Sequence, residues 1–202
     1  MKLYYAPGAC SLAPHIVLRE LGKKFDLEKV DLGTKKTESG KDFNKINGKS
    51  YVPTLEYKKG EVLTEVSTII QFLADKAKAT KLLPKAGTMN RFRAMENLNF
   101  ISTELHKGLG GLFNKEMPAE GRKIILDRVS KRLDWLNGVL GKNKFISGKS
   151  FTVADAYAFT ILNWGAWVGV DMKQWKNIAA YQTRIAARPA VQAAMKAEGL
   201  LG

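Results

Sequence analysis

The sequence predicts two domains, a mixed α/β domain over residues 1–80 and an all-helical domain over residues 87–202. Three observations predict this. Short segments with strand character alternate with helical ones as far as residue 76. After that the strand signals stop and only helical periodicity continues. Between the two regimes lies a polar stretch at 78–87 (KATKLLPKAG) with one proline and one glycine.

The α/β part opens with a strand at 2–5 (KLYY) and a turn at Pro7-Gly8. A helix follows over 11–23, with Pro14 tolerated in its first turn and Gly22 near its end. Apolar residues at Phe25, Leu27, Val30 and Leu32 give a strand over 25–32, with one slip in the alternation. Residues 35–49 are polar and partly helical at best. Val52-Pro53 leads into a strand at 54–57, and Lys59-Gly60 turns the chain back into 62–63. Residues 65–76 form an amphipathic helix, with Val66, Ile69, Ile70 and Leu73 on one face. The order is β-α-β-(α)-β-β-α.

The helical part shows periodicity over 88–116, 120–141, 152–170 and 175–187, with a short last helix after Pro189. Thr152-Val-Ala-Asp155 is a capping-box pattern ahead of the most apolar helix. It is read as structural, fixing where that helix starts. The apolar run 153–170 has the length of a membrane span, but Asp155, Asn163, Gly165 and Gly169 interrupt it. A buried core helix is the expectation. The start, MKLYYAPGAC, lacks the pattern of a signal peptide, so a cytoplasmic location is expected.

A chain of 202 residues can bury a core without disulfides or metal. Its single cysteine, Cys10, excludes an intramolecular disulfide. One cysteine and two histidines, His15 and His106, are too few for a closed zinc site, and no metal is expected. The net charge is +14. Residues 1–80 hold 14 basic and 10 acidic side chains, a net +4; residues 81–202 hold 19 and 9, a net +10. The lysines are scattered and no nucleic-acid motif accompanies them, so a basic surface rather than nucleic-acid binding is expected.

Four places carry candidate chemistry. Cys10 sits where a strand hands over to a helix, and amides at a helix start favour a thiolate beside them. A small buried hydrophobe accounts for it equally well. Val52-Pro53 precedes a strand; with a cis bond, the Val52 backbone would pair with an extended peptide ligand, while an ordinary trans turn is the commoner case. At Thr64-Glu65-Val66-Ser67 the opening of a helix offers amides for a carboxylate and Glu65 for an ammonium, or the residues merely cap the helix. His106 shares a helix face with Asn99, Ser102 and Thr103, a polar stripe that suits a cleft or a solvated face. His15 reads as a surface or satisfied helix residue. Gly108-Leu-Gly110-Gly111 follows a helix and lacks the third glycine of a dinucleotide loop.

Taken together, these segments resemble the bacterial beta-class glutathione S-transferases. MKLYYAPGACSLAPHIVLREL is similar to that family's opening, with Cys10 at its characteristic cysteine. VPTLEYKKGEVLTE, LNFISTELHKG, ISGKSFTVADAY and ARPAVQAAMKAEGL resemble further family segments in the same order, and the likeness spans residues 1–202 in one register. The resemblance implies a thioredoxin-like N-terminal domain, an all-α C-terminal domain, a homodimer and a glutathione site. Carried over by position, Cys10 would lie beside the glutathione sulfur and Lys35 would meet the glycyl carboxylate. Val52, before a cis Pro53, would pair with the cysteinyl backbone, and Glu65 with the amide of Val66 would hold the γ-glutamyl end. Asn99, Thr103, Glu104 and His106 would complete the site, some from the neighbouring subunit. Phe113, Tyr157, Trp164 and Trp167 are expected, from size and position, to wall the second substrate.

The implied activity is transfer of glutathione to small electrophilic hydrophobic compounds, with thiol–disulfide exchange or peroxide reduction through Cys10 as a second chemistry. Cys10 and His106 are the catalytic candidates. The chain departs from the family at Val66, where serine or glycine is usual, and at Asn47-Gly-Lys-Ser-Tyr51, where the family has Asn-Pro-Lys-Gly-Gln. Val66 keeps the backbone amide but loses a hydroxyl bond of roughly 0.5–1.5 kcal/mol. A non-catalytic carrier of apolar or anionic ligands is the alternative expectation that Val66 favours.

Overall fold

The structure, a computed structural model, describes residues 1–201. The chain forms two compact units: Met1–Ala79 together with the residues from Arg188 on, and Thr80–Ala187. This differs from the expected division, which left the last helix with the helical domain.

The first unit is built on a four-stranded sheet of order β2-β1-β3-β4, from β1 (Lys2–Tyr5), β2 (Asp26–Lys29), β3 (Thr54–Lys58) and β4 (Glu61–Thr64). β1 and β2 pair in parallel through the crossover helix α1 (Leu12–Glu20); β1–β3 and β3–β4 are antiparallel. Gly60, at φ +78°, makes the tight β3–β4 turn. Leu3 and Leu55 lie opposite each other and are fully buried, as are Ile16 and Val17 of α1 and Ile69 and Ile70 of α2 (Val66–Lys76). Tyr4, on the alternate side of β1, packs with Ala6, Val30, Phe43 and Val52. The second strand is shorter than the expected 25–32. Val30 lies just past it, donating its amide to the Tyr5 carbonyl at 2.8 Å and forming an isolated bridge to Thr37. Asp31 then turns the chain by accepting the Gly33 and Thr34 amides at 2.8 Å each. Only Phe43–Lys45 of the polar 35–49 segment is helical, as one 3₁₀ turn.

The last helix, named α9 below, covers Pro189–Ala197 and packs on α1. Arg188 forms a two-pronged ion pair with Glu20, at 2.7 and 3.0 Å. Val191 and Ala194 are buried. Glu198, which caps the helix C-terminus, is buried with one oxygen 2.8 Å from His15 Nδ1 and the other accepting the Gly8 amide at 2.9 Å. These contacts are why the helix belongs with the α/β unit. They also place His15 in the interior, correcting the surface alternative: it is fully buried, and its Nε2 faces the Arg19 Nε–H at 3.3 Å.

The second unit is helical: α3 (Met89–Phe100), a π turn (Ile101–His106), α4 (Lys107–Gly111), α5 (Ala119–Lys142), α6 (Val153–Leu162), α7 (Gly165–Val168) and α8 (Lys176–Ala186). Every residue of α6 is buried, the packing expected of a helix that is apolar all round. The predicted helix over 152–170 breaks at Asn163–Trp164, and no described helix is long and apolar enough to cross a membrane. The start of α6 is held as the capping pattern implied. Asp155 Oδ2 accepts the Thr152 amide at 2.8 Å and its hydroxyl at 2.9 Å, while Oδ1 accepts the Ile146 amide and the Tyr181 hydroxyl. The glycine-rich Gly108–Gly111 segment is helical. A Cβ at Gly108 would stand 2.4 Å from Val129 Cγ2, so glycine lets α4 approach α5 closely.

Candidate functional site

In the α/β unit, Cys10 lies in the turn between β1 and the first turn of α1 and is half-buried. Its thiol donates to the Val52 carbonyl at 3.3 Å, and the Val52-Pro53 bond is cis. The turn is fixed from two directions. The Ser11 hydroxyl, fully buried, donates to the Ala6 carbonyl and accepts the Ala6 amide, each at 3.2 Å. Glu198 accepts the Gly8 amide. Cys10 is therefore a rigidly placed thiol whose neighbour is the backbone of the segment at 52–53.

That segment is itself braced. The Asn47 carboxamide donates to the Tyr51 carbonyl and the Thr54 hydroxyl, both at 2.9 Å, and its oxygen accepts the Lys49 amide at 3.0 Å. Lys35 Nζ donates to the Ser50 carbonyl at 3.0 Å. Glu65 opens α2 with φ +69°, a left-handed conformation unusual for a residue with a side chain, and makes no side-chain cap. Its Oε1 instead accepts Lys49 Nζ at 2.7 Å and the Tyr51 hydroxyl at 2.5 Å. Hydrogen bonding to Glu65 raises both partners above their ordinary pKa values. Val66 is the first residue of α2, so its amide stands at the positive end of the helix. Cys10 thus meets Val52, Lys49 and Tyr51 meet on Glu65, and Lys35 braces the same loop at Ser50. Tyr51 and Lys49 were not expected as partners of Glu65; the only sign of them was the departure from the family pattern at 47–51.

In the helical unit the expected polar stripe does not stay on one face, because the helix widens into a π turn at Ile101–His106. Such turns are frequent at functional sites. The Glu104 carboxylate receives Arg132 at 2.6 Å and Arg128 at 2.9 Å from α5, which holds it below the ordinary carboxylate range. The Thr103 hydroxyl donates back to the Asn99 carbonyl, and both residues are exposed. His106 turns towards α6: its Nδ1 lies 2.6 Å from the Tyr157 hydroxyl. Its ring meets the edges of Tyr157, at 5.7 Å between centroids, and Trp164, at 4.9 Å.

The four aromatic residues expected as a wall do gather, but in two layers. Phe113 packs on Trp164 and Trp167 at 5.4 and 6.5 Å. Tyr157 and Trp164 are only 2% and 7% exposed, and they grip His106 rather than line a surface. Phe113 and Trp167, at 44% and 55%, present the apolar faces. Arg122 steadies that end, donating to the Leu112 and Val168 carbonyls. Among the described residues no group of three or more His, Cys, Asp or Glu side chains could hold a metal ion.

Residues 8–76 match the model of the glutathione S-transferase N-terminal domain, and residues 100–189 match that of the C-terminal domain. A curated relative, glutathione S-transferase GstA of Escherichia coli O157:H7, is 44% identical over 200 residues, covering 99% of this chain and 100% of its own. Among solved structures, the beta-class glutathione S-transferase of Sphingomonas chungbukensis aligns at a TM-score of 0.94 and 44% identity, covering 100% of both chains. A sphingomonad glutathione S-transferase complexed with glutathione aligns at 0.94 and 43%, covering 99% of this chain and 100% of that one.

Proposed function

The chain belongs to the glutathione S-transferase family, and from that premise we propose that it joins the sulfur of glutathione to small electrophilic, apolar compounds. The observation that carries the reading is the Cys10 thiol seated on the Val52 carbonyl, a fixed sulfur next to backbone able to take an extended peptide. Val52 and Pro53 take the cysteinyl part of glutathione. Lys35 meets the glycyl carboxylate. Glu65 takes the γ-glutamyl ammonium, and the Val66 amide, at a helix start, takes its carboxylate. Glu65 would then have to share Oε1 with, or release, Lys49 and Tyr51.

In the conjugation step the glutathione thiolate attacks an electrophilic carbon, a carbon–sulfur bond forms and the leaving group departs with its electron pair. His106 supplies a donor to the sulfur, and Asn99, Thr103 and Glu104 add polar contacts, some of them towards a neighbouring subunit. Phe113 and Trp167 give the electrophile an apolar face, with Trp164 and Tyr157 behind them. In the second chemistry, a Cys10 thiolate attacks the glutathione sulfur of a mixed disulfide between glutathione and another thiol and expels that thiol as its thiolate. A glutathione thiolate then attacks the Cys10–glutathione disulfide, releasing glutathione disulfide and restoring the Cys10 thiolate. We propose a cytoplasmic homodimer that needs no metal. The carrier alternative has only Val66 in its favour, whereas the relatives of 43–44% identity are transferases by name.

Calorimetric titration of the reduced protein with glutathione at moderate salt, followed by turnover with 1-chloro-2,4-dinitrobenzene, tests the reading. One site per chain with turnover is the expected result. No heat at millimolar glutathione would sink it and leave a retained fold with a changed site.

A further inference from the structure

We propose that Tyr157 is the positioning residue for His106, its hydroxyl donating to Nδ1 and so fixing the imidazole as the Nε2–H tautomer. The distance, 2.6 Å, is at the short end for such a bond. Its direction follows from the chemistry of the two groups. A phenol is the stronger acid of the pair and a neutral imidazole nitrogen the stronger base, so the proton of the bond sits on the oxygen. With Nδ1 occupied as acceptor, Nε2 carries the ring proton.

The surroundings keep the hydroxyl in place. Tyr157 is 2% exposed, on a helix buried along its whole length. Two residues earlier, Asp155 anchors that helix through Thr152, Ile146 and Tyr181. The His106 ring has little room to turn. Trp164 and Tyr157 meet it nearly at right angles, at 80° and 88°, and a Cβ on Gly110 would already touch its Cδ2 at 3.7 Å. The π turn that ends at His106 delivers the ring to this slot. The consequence for catalysis rests on the proposed transferase reading: a His106 held with Nε2–H is a ready-made donor to a sulfur anion.

The chain has two histidines, and the second provides an internal contrast. His15 Nδ1 faces the Glu198 carboxylate and its Nε2 accepts from Arg19, so His15 is the opposite, Nδ1–H tautomer when neutral. Long-range ¹H–¹⁵N correlation on uniformly labelled protein near pH 8 reads both rings. One histidine protonated at Nδ1 and the other at Nε2 is expected. With the rings assigned by the His106→Ala spectrum, His106 protonated at Nδ1 overturns the proposal. In Tyr157→Phe, which keeps the aromatic packing, the His106 nitrogens should move towards an averaged tautomer pattern while His15 stays fixed. An unmoved His106 pattern also overturns it. This measurement needs no turnover, so it decides the point even where the transferase reading fails. Given turnover, Tyr157→Phe should lower kcat about tenfold with the glutathione KM within about twofold. It should add no further loss in a His106→Ala background. An equal loss in both backgrounds means that Tyr157 acts other than through His106.

Discussion

At the scale of single residues, the site candidates differ in how much their own chemistry says. Cys10 was visible as a lone cysteine at a strand-to-helix junction, where packing and chemistry accounted for it equally well; its geometry on Val52 gives the thiol a specific neighbour. Cys10→Ala is expected to abolish disulfide exchange measured with a glutathione mixed disulfide, while conjugation of 1-chloro-2,4-dinitrobenzene persists. Retained exchange would remove Cys10 from the redox role. Glu65 was visible as an acid at a helix start, but its partners were not. Glu65→Gln should weaken glutathione binding by at least about tenfold, roughly 1.4 kcal/mol, because it removes the counter-charge of an ammonium. Calorimetry that returned an unchanged Kd would reassign Glu65 to bracing the 47–51 loop through Lys49 and Tyr51.

At the scale of elements, two buried carboxylates tie pieces of the α/β unit together. Glu28 on β2 is raised by burial, but hydrogen bonds from Ser39 and Lys2 outweigh that and hold it at about 2. A depressed carboxyl pKa stabilises the fold above its unfolded value, 4.5, and the benefit is lost as pH falls towards 2. This amounts to about 3 kcal/mol at most. Chemical denaturation between pH 5 and about 2.5 should show this acid slope, and Glu28→Gln should flatten it. A variant with the wild-type slope would place the acid sensitivity elsewhere. Glu198 at the end of α9 joins His15 on α1 and Gly8 in the Cys10 turn. Glu198→Ala removes an acceptor from both the buried His15 ring and the Gly8 amide, at a cost of about 3 kcal/mol. That corresponds to a Tm lower by roughly 6–12 °C in calorimetry. A drop under about 2 °C would mean that α9 is held by Arg188–Glu20 and its apolar face alone.

At the scale of the whole molecule, the +14 net charge is unevenly divided along the sequence, with +10 after residue 80. Glutathione is anionic near neutral pH, so a cationic protein draws it in and salt screens the attraction. Apparent affinity for glutathione should fall several-fold as ionic strength rises from about 0.01 to 0.15 M, while KM for an uncharged electrophile stays level. No change in glutathione Kd across that range would show that the charge acts on something other than this ligand. The proposed homodimer is checked by light scattering, where a mass near twice the 22.4 kDa of the chain is expected.

The sequence by itself determined the order of the elements, the helix expected over 65–76 and found at Val66–Lys76, and the start of the core helix at Thr152–Asp155, and it singled out Cys10 as a candidate. Each of these is written in local signals: apolar periodicity, turn residues, a cap, a single thiol. Family likeness, also held in the sequence, supplied the roles carried over to Lys35, Val52, Glu65 and His106. Tertiary structure alone decided the rest. It took the last helix from the helical domain and set it on α1, through contacts 168 and 183 residues apart in sequence. It decided between the two readings of His15, surface or satisfied helix residue, by burying it against Glu198. It split the stripe of Asn99, Ser102, Thr103 and His106, because a π turn leaves no mark in a pattern of polar and apolar residues. It also gave His106 its Tyr157 partner, 51 residues away. Periodicity reports which face of an element is apolar; it carries no information on which distant polar group will meet another once both are withdrawn from water.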